Sequence, residues 1–138
     1  MKRNIIIASH HRLSAGMLDT LEFLMGSQAN IQVLTAYLEN QGIDEAVETV
    51  MTKAAASDEV IIFTDLLAGS VNQKFATFIR QPHVHLIAGM NLPIVMAIAL
   101  YNPTIELTEC EIERLVNEAR EQLVYVNQLQ VVEGEDDE

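Results

Sequence analysis

Four short apolar runs punctuate the chain. Ile5-Ile-Ile-Ala8 and Val60-Ile-Ile-Phe63 are continuous, whereas Ile31-Gln-Val-Leu34 and His83-Val-His-Leu-Ile-Ala88 are interrupted by polar residues. Runs of this length, rich in β-branched residues, suit strands buried on both faces. Between them the apolar period changes to that of a helix. Leu13, Met17, Leu21, Leu24 and Met25 share one face, Ile43, Val47, Val50 and Ala54 a second, and Val71, Phe75, Phe78 and Ile79 a third. Pro93 fits the first turn of a fourth helix reaching about Leu100, because its missing N–H is not needed there. Thr108-Glu-Cys-Glu111 has the form of a capping box and opens a fifth helix through Ile112, Leu115, Val116 and Ala119.

Alternating strands and helices predict a three-layer α/β domain with a mainly parallel sheet of four strands and helices on both faces. Residues 124–132 break the pattern. They follow the fifth helix almost directly, so no segment is left to cross back over the sheet. The reading there is an antiparallel edge strand, or a strand donated to a second subunit. Neither an internal repeat nor a Pro/Gly/Ser-rich linker is present.

Of the 138 residues, 49% are apolar, enough for one proper core. Lys and Arg number 8 against 20 Asp and Glu, a net charge of −12. That balance excludes a generic nucleic-acid binder, which replaces phosphate counterions with a basic patch. Five of the last six residues, 133–138, are acidic and read as a disordered tail. Without them 15 acids still face 8 bases, a charge of −7, so the folded part suits basic protein partners. Cys110 is the single cysteine, which excludes an intrachain disulfide and points to a reducing cytoplasm. The N-terminal apolar run of four residues is too short for a signal peptide, whose core needs about 7–15.

Open α/β sheets bind ligands beyond the carboxyl ends of their strands. The first strand delivers Ser9, His10 and His11 there, the third Thr64, Asp65 and a loop to Gly69 and Ser70, and the fourth Gly89, Met90 and Asn91. Neutral imidazole is a good nucleophile near pH 7 when one nitrogen is free and the other is held. Asp65 is able to hold His10 if the first and third strands are neighbours, and it would then stabilise the imidazolium formed on attack. Gly69 and Ser70, ahead of a helix, are placed to offer backbone N–H groups to a phosphoryl group. From the residues alone, His10 and Asp65 read first as polar loop residues, and a metal site of His10, His11 and Asp65 is disfavoured because adjacent histidines point apart and no third ligand has metal-motif spacing. His83 and His85 share a strand face and read as packing residues, as does Cys110. Neither GxxxxGK[ST] nor GxSxG occurs, so the usual nucleotide loop and the hydrolase elbow have no support.

Three segments carry a resemblance. Ile5-Ile-Ile-Ala-Ser-His-His-Arg-Leu-Ser-Ala-Gly-Met-Leu18, Ile62-Phe-Thr-Asp-Leu-Leu-Ala-Gly-Ser70 and Leu86-Ile-Ala-Gly-Met-Asn-Leu-Pro93 resemble, in order and spacing, the signatures of the mannose-family IIA domain of the bacterial sugar phosphotransferase system. The resemblance covers about residues 2–132, and the domain is read as 1–132, all but the tail. It implies a sheet of order 2-1-3-4 and a fifth, antiparallel strand exchanged between the subunits of a homodimer. It implies that His10 accepts a phosphoryl group from the phosphohistidine of the carrier protein HPr. The group then passes to a IIB component, which serves membrane IIC and IID partners in sugar uptake. Asp65 would orient and charge-balance His10; Ser9, Gly69 and Ser70 would hold the phosphoryl oxygens; Asn91 would line the pocket. The scheme requires neither a metal nor an organic cofactor. A chain of this size is expected to be a free-standing IIA protein.

The sequence also departs from that pattern. His11 stands where many members carry a small residue, Leu66-Leu67 replaces a more usual aromatic turn, Ala68 replaces a glycine and Val71 a proline. These changes leave a regulatory module of the same fold as a second reading. Ser9-His10-His11 also resembles the phosphoryl-carrier subunit of dihydroxyacetone kinase, a third.

Overall fold

The computed structural model describes residues 2–38 and 40–129. Strands β1 (Arg3–His10), β2 (Ile31–Ala36), β3 (Glu59–Thr64) and β4 (Val84–Ile87) form one parallel sheet in the order β2-β1-β3-β4. The sheet is the expected one. Successive side chains on a strand point to opposite faces, and each face of this sheet has its own core. Ile5, Ile7, Ile61 and Phe63 pack toward α1 (Leu13–Met25), α4 (Leu92–Leu100) and α5 (Glu109–Arg120). Ile6, Ala8, Val60 and Ile62 pack toward α2 (Ile43–Ala54) and α3 (Ser70–Ala76). The large apolar side chains of β1 and β3 are fully buried, each contributing about 1.5–3 kcal/mol.

The element boundaries follow from local chemistry. Asn91 caps α4, its Oδ1 accepting from Ile94 N–H at 3.0 Å, with Pro93 in the first turn. Thr108 Oγ1 accepts from Glu111 N–H at 3.2 Å, one half of the expected capping box. The other half is replaced: the Glu111 carboxylate turns to Arg114 Nε at 2.7 Å. Helix α3 ends at Ala76, earlier than its apolar stripe suggests; Phe78 still joins the core, while Ile79 is exposed.

At the amino end of the sheet, Arg3 and Glu59 form a buried pair at 2.8 Å. The Arg3 guanidinium also donates to the carbonyls of Tyr101, Asn102 and Ile105, and Glu59 accepts from Leu107 N–H. The pair thereby fastens the loop between α4 and α5 to β1 and β3.

Over residues 124–129 the edge-strand alternative is not formed within the chain. They hold a 3₁₀ turn (Val126–Gln128) and pair with no strand of their own chain, while Leu123, Val124, Tyr125, Val126 and Leu129 are exposed. Residues 130–132 and the acidic tail 133–138 lie outside the described residues.

Candidate functional site

The chain leaves β1 toward β2 on one side and later returns to place β3 on the other, so the sheet order reverses between β1 and β3. Their carboxyl ends form the topological switch point, where ligands of such sheets bind. His10 is the last residue of β1, and Asp65 directly follows β3.

One oxygen of Asp65 holds His10 twice. Oδ2 accepts from the His10 backbone N–H at 2.7 Å and lies 2.8 Å from Nδ1 of the ring. Burial opposes the charge on Asp65. The hydrogen bonds from the His10 backbone and ring, with the nearby Leu66 N–H and the attraction of the imidazole, outweigh it and hold the carboxyl below its ordinary value. An ionised carboxylate can only accept, so Nδ1 carries a proton, and in the neutral imidazole the lone pair is then on Nε2. The ring is 38% exposed. Ser70 Oγ lies 3.2 Å from Nε2, and Tyr37 Oη donates to Ser70 Oγ at 2.8 Å.

The loop after β3 is tied down from below. Asn72, buried on α3, donates to Thr64 Oγ1 at 3.0 Å and accepts from Ala68 N–H at 3.0 Å. Gly89 and Met90, after β4, donate to the backbone carbonyls of Asp65 and Thr64 at 2.6 and 3.1 Å. Three residues other than glycine have left-handed backbones among the described residues: His11 (φ 56°), Tyr37 (φ 64°) and Ala68 (φ 62°). All three follow strands that end at this site. Such conformations persist only where their surroundings hold them, and they cluster at functional sites.

The structure brings His10, Asp65 and Ser70 together, as the sequence suggests, and gives three other residues different work. Ser9 is fully buried; its Oγ accepts from Ser14 N–H at 2.7 Å and so starts α1, leaving it no access to a phosphoryl oxygen. Both ends of the Asn91 amide are used, Oδ1 in the cap and Nδ2 on the Ala119 carbonyl at 2.9 Å, so it joins α4 to α5 instead of lining a pocket. The Gly69 N–H donates to the Leu66 carbonyl at 3.0 Å and is not free for a ligand. Gly69 matters through what it lacks: a Cβ there would lie 3.1 Å from Leu66 and 3.6 Å from His10 Cε1. His11 is exposed, and its ring takes no part in the hydrogen bonds around His10. Tyr37 escapes the sequence reading, although it stands directly after an apolar run, at the carboxyl end of β2. Among the described residues no three His, Cys, Asp or Glu side chains are grouped to hold a metal ion, and no helix is long and apolar enough to cross a membrane.

Residues 4–116 match the EIIA-man family, described as the PTS system fructose IIA component. The chain belongs to that family. Among solved structures, this EIIA-man member is similar to a protein from Klebsiella pneumoniae subsp. pneumoniae described as a phosphoenolpyruvate-dependent sugar phosphotransferase system permease. The two share 37% identity over 93% of each chain, with a TM-score of 0.83. It also resembles the PTS IIA protein associated with the fucose utilization operon of Streptococcus pneumoniae, at 27% identity over 93% and 96% of the two chains (TM-score 0.78). A sigma-54 interaction domain protein from Enterococcus faecalis shares the fold alone, at 15% identity over 94% and 98% (TM-score 0.65).

Proposed function

We propose that this EIIA-man member is a histidine phosphoryl carrier that accepts a phosphoryl group on Nε2 of His10 from phospho-HPr and passes it to a IIB component for sugar uptake. The observation that carries the reading is the Asp65–His10–Ser70 arrangement at the switch point. The Nε2 lone pair attacks phosphorus as the donor's P–N bond breaks. Nδ1 keeps its proton, so the phosphorylated ring is cationic, and Asp65 compensates that charge without moving. Ser70 is within reach to turn its O–H onto a phosphoryl oxygen. Donor and acceptor are both phosphohistidine-type partners, so the step needs positioning more than a deep pocket.

Membrane IIC and IID components enter only through IIB. The exposed apolar segment 123–129 suits exchange with a second copy, and a homodimer in the cytoplasm is part of the reading. The departures in the loop 66–71, which motivate a regulatory module, leave Ser70 within reach of His10. The test is transfer of labelled phosphate from phospho-HPr. The wild-type chain is expected to take up one acid-labile phosphoryl group and His10→Ala none; a wild type that takes up none would transfer the assignment to the regulatory reading.

A further inference from the structure

We propose that Tyr37 is a positioning residue for phosphoryl transfer at His10, acting through Ser70. The proposal deepens the carrier reading and rests on it. Tyr37 stands one residue beyond Ala36, the register partner of His10, with its backbone held at φ 64°. Its ring centroid is 5.6 Å from that of His10, and its hydroxyl reaches Ser70 Oγ at 2.8 Å. Tyr37 thus ties the end of β2 to the start of α3 across the end of β1.

With the ring neutral, the hydrogen bonds of this chain run in one direction. Asp65 takes the Nδ1 proton, so Nε2 presents its lone pair and Ser70 must donate to it. Ser70 then accepts from the Tyr37 O–H. A serine hydroxyl without such a donor rotates among several orientations; with it, the Ser70 proton is aimed at Nε2. A hydroxyl that accepts one hydrogen bond is also polarised into a better donor.

The same chain serves the phosphorylated state. As the Nε2–P bond forms, the electron pair of the donor's P–N bond leaves with the donor nitrogen. The Ser70 O–H swings from Nε2 to a phosphoryl oxygen, and no proton is lost. Tyr37 continues to donate to Ser70 and keeps its oxygen in place. The tyrosine need not touch the phosphoryl group, and its half-exposed ring stays at the rim.

The test compares Tyr37→Phe, Ser70→Ala and the double variant in the full chain. The first readout is the single-turnover rate of transfer from phospho-HPr. The second is the ¹⁵N resonance of His10 Nε2 in the unphosphorylated protein. Tyr37→Phe is expected to slow transfer about three- to tenfold, the size of one neutral hydrogen bond. Ser70→Ala should cost at least as much, and the double variant no more than Ser70→Ala. Tyr37→Phe should also move the Nε2 resonance in the same direction as Ser70→Ala. Additive losses with an unmoved resonance would make Tyr37 a structural tie and overturn the proposal. A wild type that accepts phosphate beside a Tyr37→Phe variant of equal rate and unchanged resonance would overturn the proposal alone. A wild type that accepts none would overturn the carrier reading and the proposal with it.

Discussion

Asp65 Oδ2 grips His10 at two points, the backbone N–H at 2.7 Å and the ring Nδ1 at 2.8 Å. The first contact fixes where the strand ends; the second fixes which ring nitrogen carries the proton. The other Asp65 oxygen is buried and accepts no well-formed hydrogen bond among the described residues, with the Leu66 N–H near the carboxylate. The carboxylate is therefore committed to His10, and its replacement should show in both chemistry and stability.

Asp65→Asn keeps the shape of the side chain and loses the charge that compensates a phosphorylated ring. Its transfer rate from phospho-HPr is expected to fall about a hundredfold or more while the fold remains, by analogy with carboxylates that orient catalytic histidines. Rapid-quench kinetics beside a circular dichroism spectrum checks both halves.

The same carboxyl predicts a pH dependence. Its folded pKa lies below the ordinary 3.8, so its ionised form stabilises the fold. That contribution is fully present above the ordinary value and is lost as pH falls through the lowered one. The part of the wild-type advantage over Asp65→Asn that comes from this carboxyl should shrink in acid, measured by urea titration at a series of pH values below the ordinary carboxylate value.

Glu59→Gln should be the most damaging of these changes to the fold. It leaves the Arg3 guanidinium buried without its counter-charge, a loss of about 3–5 kcal/mol. Denaturant unfolding measures it, and the His10 ring resonances should be little altered because the pair lies at the opposite end of the sheet.

Ala68→Gly tests the loop beside the site. Ala68 sits at φ 62°, where a Cβ costs about 1–2 kcal/mol, partly offset by the greater freedom of glycine when unfolded. A net gain of up to about 1 kcal/mol is expected in the same unfolding measurement. The Asn72 side chain fastens this backbone by accepting from Ala68 N–H.

The exposed apolar segment 123–129 predicts the oligomeric state. Sedimentation should show a dimer for the full chain and a monomer once residues 124–138 are deleted. A full chain that sediments as a monomer at high concentration would remove the exchanged-strand expectation.

The strands, and the placement of His10 and Asp65 at strand ends, were legible because periodicity and strand ends are local signals; that β1 and β3 are neighbours, which brings the two residues together across 55 positions, was implied only by the family resemblance. Ser9 and Asn91 were misplaced for a physical reason. A small polar residue at a strand end serves equally as a ligand donor or as a helix-starting acceptor, and only the position of Ser14 or Ile94 decides. Tyr37 and Arg3 were illegible in a different way. Their partners, Ser70 and Glu59, are 33 and 56 residues away. Arg3 finds its partner only when the parallel register sets it beside Glu59.

The most direct test of the account is intact mass after incubation with phosphoenolpyruvate, enzyme I and HPr, for wild type, His10→Ala and His11→Ala. One acid-labile phosphoryl group is expected on the wild type and on His11→Ala, and none on His10→Ala. Labelling that survives in His10→Ala, or a wild type that gains no mass, would contradict it.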